Sequence, residues 1–226
     1  MIISTPAIIL KTILYGDTSI ISKCFTLKRG KIDVIVKGAR SPKSNKSVFF
    51  QPFSYTEIIF NEKNNRDLQL LSKVNYIKSW NRLQTSLKSM SYAFAIVEMT
   101  DKALEKNDTN ANLFNTLVFV LDGLDNERIE KNILFWYYEV SLLSELGFEP
   151  DFKTTDFHEL NKKLVDESIH FIKILLNGDI NSFPSLIFPK EISKIISNYL
   201  QSQLVYHIEG FHKLKSLKII REILAE

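Results

Sequence analysis

Apolar and polar residues alternate with period two through the first eighty residues, and apolar residues recur every three or four positions after that. In residues 31–37, Ile32, Val34 and Val36 share one face of an extended strand, while Lys31, Asp33 and Lys37 share the other, a face open to an anion. The same reading gives strands at 2–14, 19–27, 53–60 and 67–77, with turns at Tyr15-Gly16-Asp17 and Lys28-Arg29-Gly30-Lys31. Five short strands in about eighty residues is the count of a small closed barrel of the OB-fold kind. Between the third and fourth strands, Gly38, Ser41, Pro42, Ser44 and Asn45 break the alternation and predict a mobile surface segment.

From Trp80 onward the pattern is helical. Leu83, Leu87, Met90, Phe94, Val97 and Leu104 form one stripe, with Asp101, Lys102, Glu105 and Lys106 on its polar side. Leu113, Leu117, Val120 and Leu124 form a second stripe, and Ile129, Ile133, Trp136, Val140 and Leu143 a third, which stops at Gly147. Residues 148–164, with Pro150, Thr154-Thr155 and a cap at Asp156, read as an irregular connection. Helical spacing returns at Ile169, Ile172 and Leu175-Leu176 up to Gly178, again from Ile192 to Tyr199, and in a last helix over 213–224. The fold class is therefore α+β: a five-stranded OB-fold barrel over 1–80, then an all-α helical domain over 81–226.

Charge sharpens this division. The net charge of +3 is modest, but residues 1–80 hold 13 Lys/Arg against 5 Asp/Glu, and residues 81–226 hold 16 against 21. The basic half is the one suited to a polyanion. Lys11, Lys23, Lys28, Arg29, Lys31, Lys37, Arg40, Lys43 and Lys46 are its candidate phosphate ligands, and Tyr15, Phe25, Phe49, Phe50, Phe53 and Tyr55 its candidate base stackers, most of them needed for the core. Positive charge alone separates neither single strands from duplex nor DNA from RNA.

Catalytic patterns are missing from the sequence. His158, His170, His207 and His212 show no H-E-x-x-H spacing, and there is no Gly-rich loop before a Lys-Ser/Thr pair, no G-x-S-x-G and no calcium loop. Cys24, the single cysteine, rules out an internal disulfide and a cysteine-based zinc site, and on its alternating strand it reads as a small buried hydrophobe. That cysteine usage suits the cytoplasm; no signal-peptide pattern opens the chain, and no run approaches the ~20 apolar residues of a membrane span. Neither cofactor nor metal is expected. A nucleic-acid-binding protein leads, with an adaptor whose basic barrel grips an acidic peptide as the alternative and a hydrolase with dispersed residues last.

Several motifs stand in one order: Tyr15-Gly16-Asp17-Thr18-Ser19, Thr26 to Gly30, Lys37-Gly38-Ala39-Arg40 and Gln51-Pro52-Phe53. Leu146-Gly147-Phe148-Glu149-Pro150 follows, then His207-Ile208-Glu209-Gly210 with Leu214-Lys215-Ser216. In order and spacing these resemble the bacterial recombination mediator RecO, firmly over 1–80 and loosely beyond. The resemblance implies a non-enzymatic, cytoplasmic and nucleoid-associated repair factor that binds single- and double-stranded DNA and anneals complementary strands. With RecR it would help load RecA onto DNA covered by single-stranded-DNA-binding protein (SSB), whose acidic C-terminal tail the helical domain engages. Lys102 and Arg128 are local cations of that domain, but the sequence does not place the groove. Many members carry a four-cysteine zinc module after the Leu-Gly-Phe-x-Pro segment; here Asp151-Phe152-Lys153-Thr154-Thr155 follows, so no zinc carries over.

Overall fold

A computed structural model describes residues 1–63, 66–150, 152, 157 and 160–225, the last five of these as backbone only. Strands β1 (Ile2–Tyr15), β2 (Ser19–Thr26), β3 (Gly30–Val36), β4 (Tyr55–Asn61) and β5 (Leu68–Lys78) close into a barrel in the order β1-β2-β3-β5-β4. All neighbours are antiparallel except β3 and β5, which pair in parallel over only Asp33–Ile35 and Leu68–Leu70. Helices follow: α1 (Leu87–Ala103), α2 (Ala111–Asn126), α3 (Lys131–Glu145), α4 (Lys162–Asn177), α5 (Lys190–His207) and α6 (Lys215–Ala225). The α+β class and the five-stranded barrel read from the sequence are what the structure has.

The run Ala7-Ile8-Ile9-Leu10 is continuous rather than alternating because both faces of β1 are buried there. Ala7 and Ile9 point into the barrel with Cys24, Val34, Ile58 and Phe60. Ile8 and Leu10 point out, with Phe25 and Phe53, into the core of the helices. The register of β1 against β2 shifts between Ile9 and Lys11, a bulge that sits at the helix-facing side. One apolar core thus runs from the outer wall of the barrel into the helical part.

That shared core also explains where the predicted stripe of α1 fails. Leu83 lies in a 3-10 turn, and Leu87, at the first turn of the helix, is 72% exposed. The helix packs against β1, α2, α3 and α6, so Ser89, Ser91, Tyr92, Ala93, Ala95, Ile96, Met99 and Thr100 are buried around most of its circumference. Small residues at these positions let neighbours approach closely, and no single 3.6-residue stripe describes such a helix. Of its polar side, Lys102, Glu105 and Lys106 are exposed and Asp101 is partly buried. Asp101 turns to the barrel, and Glu105 and Lys106 lie beyond the helix end.

Other departures are local. Ile129 precedes α3, and Lys213 belongs to a 3-10 turn before α6. Gly147 does close α3: its N–H donates to Ser144 O, and that of Phe148 to Leu143 O. Asn161 caps α4 by accepting from Lys163 N. His158, the Thr154-Thr155 pair and the predicted cap at Asp156 lie outside the described residues.

Cys24 is fully buried, and burial pushes its thiol up to about 12. Native protein at neutral pH will therefore resist iodoacetamide, while denatured protein will alkylate rapidly, as mass spectrometry reads directly. The thiol titrates near 9.0 when exposed. Its neutral form is favoured by folding, so the associated stability is complete below that pH and is lost as pH rises toward about 12.

Candidate nucleic-acid interface

The structure divides the nine candidate cations among three places. Lys37, Arg40, Lys43 and Lys46 stand on the connection from β3 to β4, at the barrel end that also carries the β1–β2 turn. Lys28 and Arg29 occupy the β2–β3 turn, at the opposite end of β2. Lys11, Lys23 and Lys31 face α1 across a cleft of about 600 Å³.

The third group is largely spoken for. Lys23 Nζ lies 3.3 Å from Asp101 Oδ1, and Lys31 Nζ donates to the Asp101 carbonyl at 2.5 Å with the carboxylate 3.6 Å away. Burial holds the Lys31 ammonium below its ordinary range, partly offset by Asp101. The outer face of β3, expected to be open to an anion, is instead covered. Asp33 pairs with Lys106 at 2.8 Å, and Asn107 N donates to Lys31 O. Glu98, Asp101 and Glu105 line the cleft beside Lys11, Lys23, Lys31 and Lys102, so it holds no large excess of positive charge.

In the second group, Arg29 Nε donates to Glu62 Oε1 at 2.6 Å, a hydrogen bond that raises the guanidinium further. Lys28 Nζ donates to the Ser4 carbonyl at 2.9 Å. The turn itself is fixed by Thr26, whose Oγ1 accepts from Arg29 N and donates to Gly30 O.

The first group differs in kind. Lys37, Arg40, Lys43 and Lys46 are exposed, and none of them is in an ion pair among the described residues. No acid occurs from Val34 to Thr56. Arg40 donates from Nε to Ser19 O at 3.2 Å and from Nη2 to Gly16 O at 2.5 Å, and its own N–H reaches Thr18 O. Two of the five guanidinium N–H groups are used in this clamp, on a side chain that is exposed. Asp17 is the acid of that turn.

The connection expected to be mobile is a series of turns anchored at both ends. Ser41 bonds to Gly38 O through N–H and hydroxyl, and Ser44 N donates to Ser41 O. Ala39 and Phe50 are buried in the barrel core, and Thr12 Oγ1 donates to Phe50 O. Four cations are thereby held on a built surface.

Of the candidate stackers, Phe25, Phe50 and Phe53 are buried, and Tyr55 lies flat against Trp80 at 5.9 Å. Tyr15 is 51% exposed, and Phe49 is half-buried against Tyr76. Tyr76 escaped the sequence reading because it shares the inward parity of Val74 on β5, which marks core positions. Asp101 and Glu62 escaped it because nothing along the chain pairs them with their partners.

Among the described residues, no group of three His, Cys, Asp or Glu is placed to hold a metal ion, and no helix is long and apolar enough to cross a membrane.

The family description "Recombination protein O N terminal" matches residues 1–80, and "Recombination protein O C terminal" matches residues 84–155. DNA repair protein RecO of Flavobacterium psychrophilum is 30% identical over 246 residues, covering 99% of each chain. That of Salinibacter ruber is 36% identical over 149 residues, 66% of this chain and 57% of the relative. That of Chlorobium limicola is 34% identical over 150 residues, 66% and 58%. In the last two the match spans less than two thirds of the relative's length. With both halves of the family description on the chain and one relative matched nearly end to end, the chain belongs to the recombination protein O (RecO) family.

Proposed function

We propose that this chain is a DNA repair factor that works by binding and annealing strands rather than by catalysis. The observation that carries the reading is the acid-free connection from β3 to β4, which presents Lys37, Arg40, Lys43 and Lys46 at one end of the barrel with no ion pair among the described residues. Such a surface binds phosphates of single or double strands through counterion release. Annealing needs two polyanions brought together, and a basic surface lowers their repulsion without making or breaking a covalent bond.

Within the proposal, Lys11 and Lys28 offer phosphate contacts away from that end, Arg29 is held by Glu62, and Lys23 and Lys31 act through Asp101 to hold the helices on the barrel. The partners are RecR, SSB through its acidic tail on the helical domain, and RecA indirectly, with the nucleoid as the place of work. An acidic-peptide adaptor is the weaker reading, since the basic cleft beside α1 is balanced by Glu98, Asp101 and Glu105. The deciding experiment follows annealing of complementary oligonucleotides, bare and coated with SSB. Acceleration without nucleotide hydrolysis in both arms is expected, and no acceleration of bare strands would overturn the reading.

A further inference from the structure

Tyr76, Val48 and Phe49 bring partly exposed apolar groups together at the basic end of the barrel. Tyr76 is on β5 beyond Leu70, where pairing with β3 has stopped, so its ring meets the 3-10 turn Lys46–Phe50 instead of a strand. Its hydroxyl donates to Val48 O at 3.2 Å, and its ring centroid lies 4.4 Å from that of Phe49. Two contacts fix the phenol, yet Tyr76 remains 48% exposed and Val48 51%. Closing the barrel does not need this ring. Phe50, on the same turn, fills that role at 1% exposure.

The surroundings select the ligand. The connection from Val34 to Thr56 holds no acid and carries Lys37, Arg40, Lys43 and Lys46, while on β5 Lys78, two residues from Tyr76, is paired with Asp122. Lys46 begins the turn that presents Phe49. An immobilised, half-exposed aromatic pair among unpaired cations matches a chain of phosphates whose bases have free π-faces. Bases within a duplex have both faces covered by their neighbours, and an acidic peptide uses the cations but not the ring.

We propose that Phe49 and Tyr76 form a base-stacking ledge that makes the basic end prefer unpaired strands over duplex. This rests on the reading that the same end binds DNA. The cations then supply affinity for any phosphate polymer, and the ledge adds an increment only an accessible base can collect.

The test titrates the full chain, by fluorescence anisotropy, with oligothymidylate, an abasic strand of equal length and a duplex of equal length. Tyr76→Ala will weaken oligothymidylate binding by about tenfold and leave the abasic strand and the duplex unchanged. Tyr76→Phe will bind like wild type, whereas Tyr76→Leu, apolar but without a π-face, will bind like Tyr76→Ala. Phe49→Leu carries the test if the alanine variant does not melt like wild type. A folded Tyr76→Ala that binds oligothymidylate normally, or that loses all three ligands equally, overturns the ledge. So does an acidic peptide that displaces oligothymidylate from wild type but not from Tyr76→Ala. If wild type binds none of the three polymers, the DNA-binding reading itself fails; if removing the four lysine and arginine side chains abolishes binding while Tyr76→Ala does nothing, only the ledge does.

Discussion

Replacing Lys37, Arg40, Lys43 and Lys46 together with alanine will lower DNA affinity on the order of a hundredfold and flatten its salt dependence by about 3 to 4 units in the slope of log K against log [salt]. The slope is the more telling readout. Each neutralised phosphate contributes roughly 0.7 for single strands and 0.9 for duplex, so four lost contacts remove about 2.8 units with a single strand and about 3.6 with a duplex. Arg40 also clamps the β1–β2 turn through Gly16 and Ser19, and the variant lacking only the three lysines separates charge from this structural part. Lys23→Ala is the internal control. Lys23 is already paired with Asp101, so its removal will leave the slope unchanged. A quadruple variant with wild-type affinity and slope at low salt would take the proposed surface away.

That control marks where the sequence stopped being informative. Period and turn chemistry are local properties, so the five strands and the helices could be read within a few residues of their ends. Ile32, Val34 and Val36 are buried as their alternation requires. The run at Ala7–Leu10 carried more than a strand assignment, since four consecutive apolar residues require a second buried face, and the helices supply it. Side-chain partners are a different matter. Arg29 finds Glu62, 33 residues on, and Lys31 finds Asp101, 70 residues on. Charge counted along the chain treats such cations as free, and only the closure of the barrel, for Arg29, and the docking of α1 on it, for Lys31, show which are neutralised. What survives that subtraction is the stretch that has no acid in its own sequence and whose cations are in no ion pair among the described residues. Tyr76 is the complementary case: it shares the parity of the partly buried Val74, but β3, the strand that would lie beside it, ends at Val36.

The same docking sets the second large effect, Gly30→Ala, which is expected to cost roughly 2–4 kcal/mol. Gly30 has φ +60, a left-handed conformation that costs a residue with a Cβ about 1 kcal/mol. A Cβ built there would lie 1.9 Å from Asp108 O and 2.4 Å from Asp108 C, backbone atoms with no side-chain rotation to relieve the overlap. Overpacking of this kind adds ~1–3 kcal/mol. The α1–α2 connection would have to lift from β3, and with it Asn107 N from Lys31 O and Lys106 from Asp33. Because the outer wall of the barrel is part of the helical core, the loss will appear as a single lowered melting transition, down by roughly 5–15 °C. Gly16→Ala isolates the backbone part. Gly16 has φ +53, but nothing lies within 4 Å of its added Cβ, so only the conformational cost remains. The difference between the two variants measures how tightly residue 108 seats on the turn of β2 and β3; equal melting temperatures would mean that the connection moves aside freely and that the Lys23, Lys31 and Asp101 contacts, rather than this seat, hold the helices to the barrel.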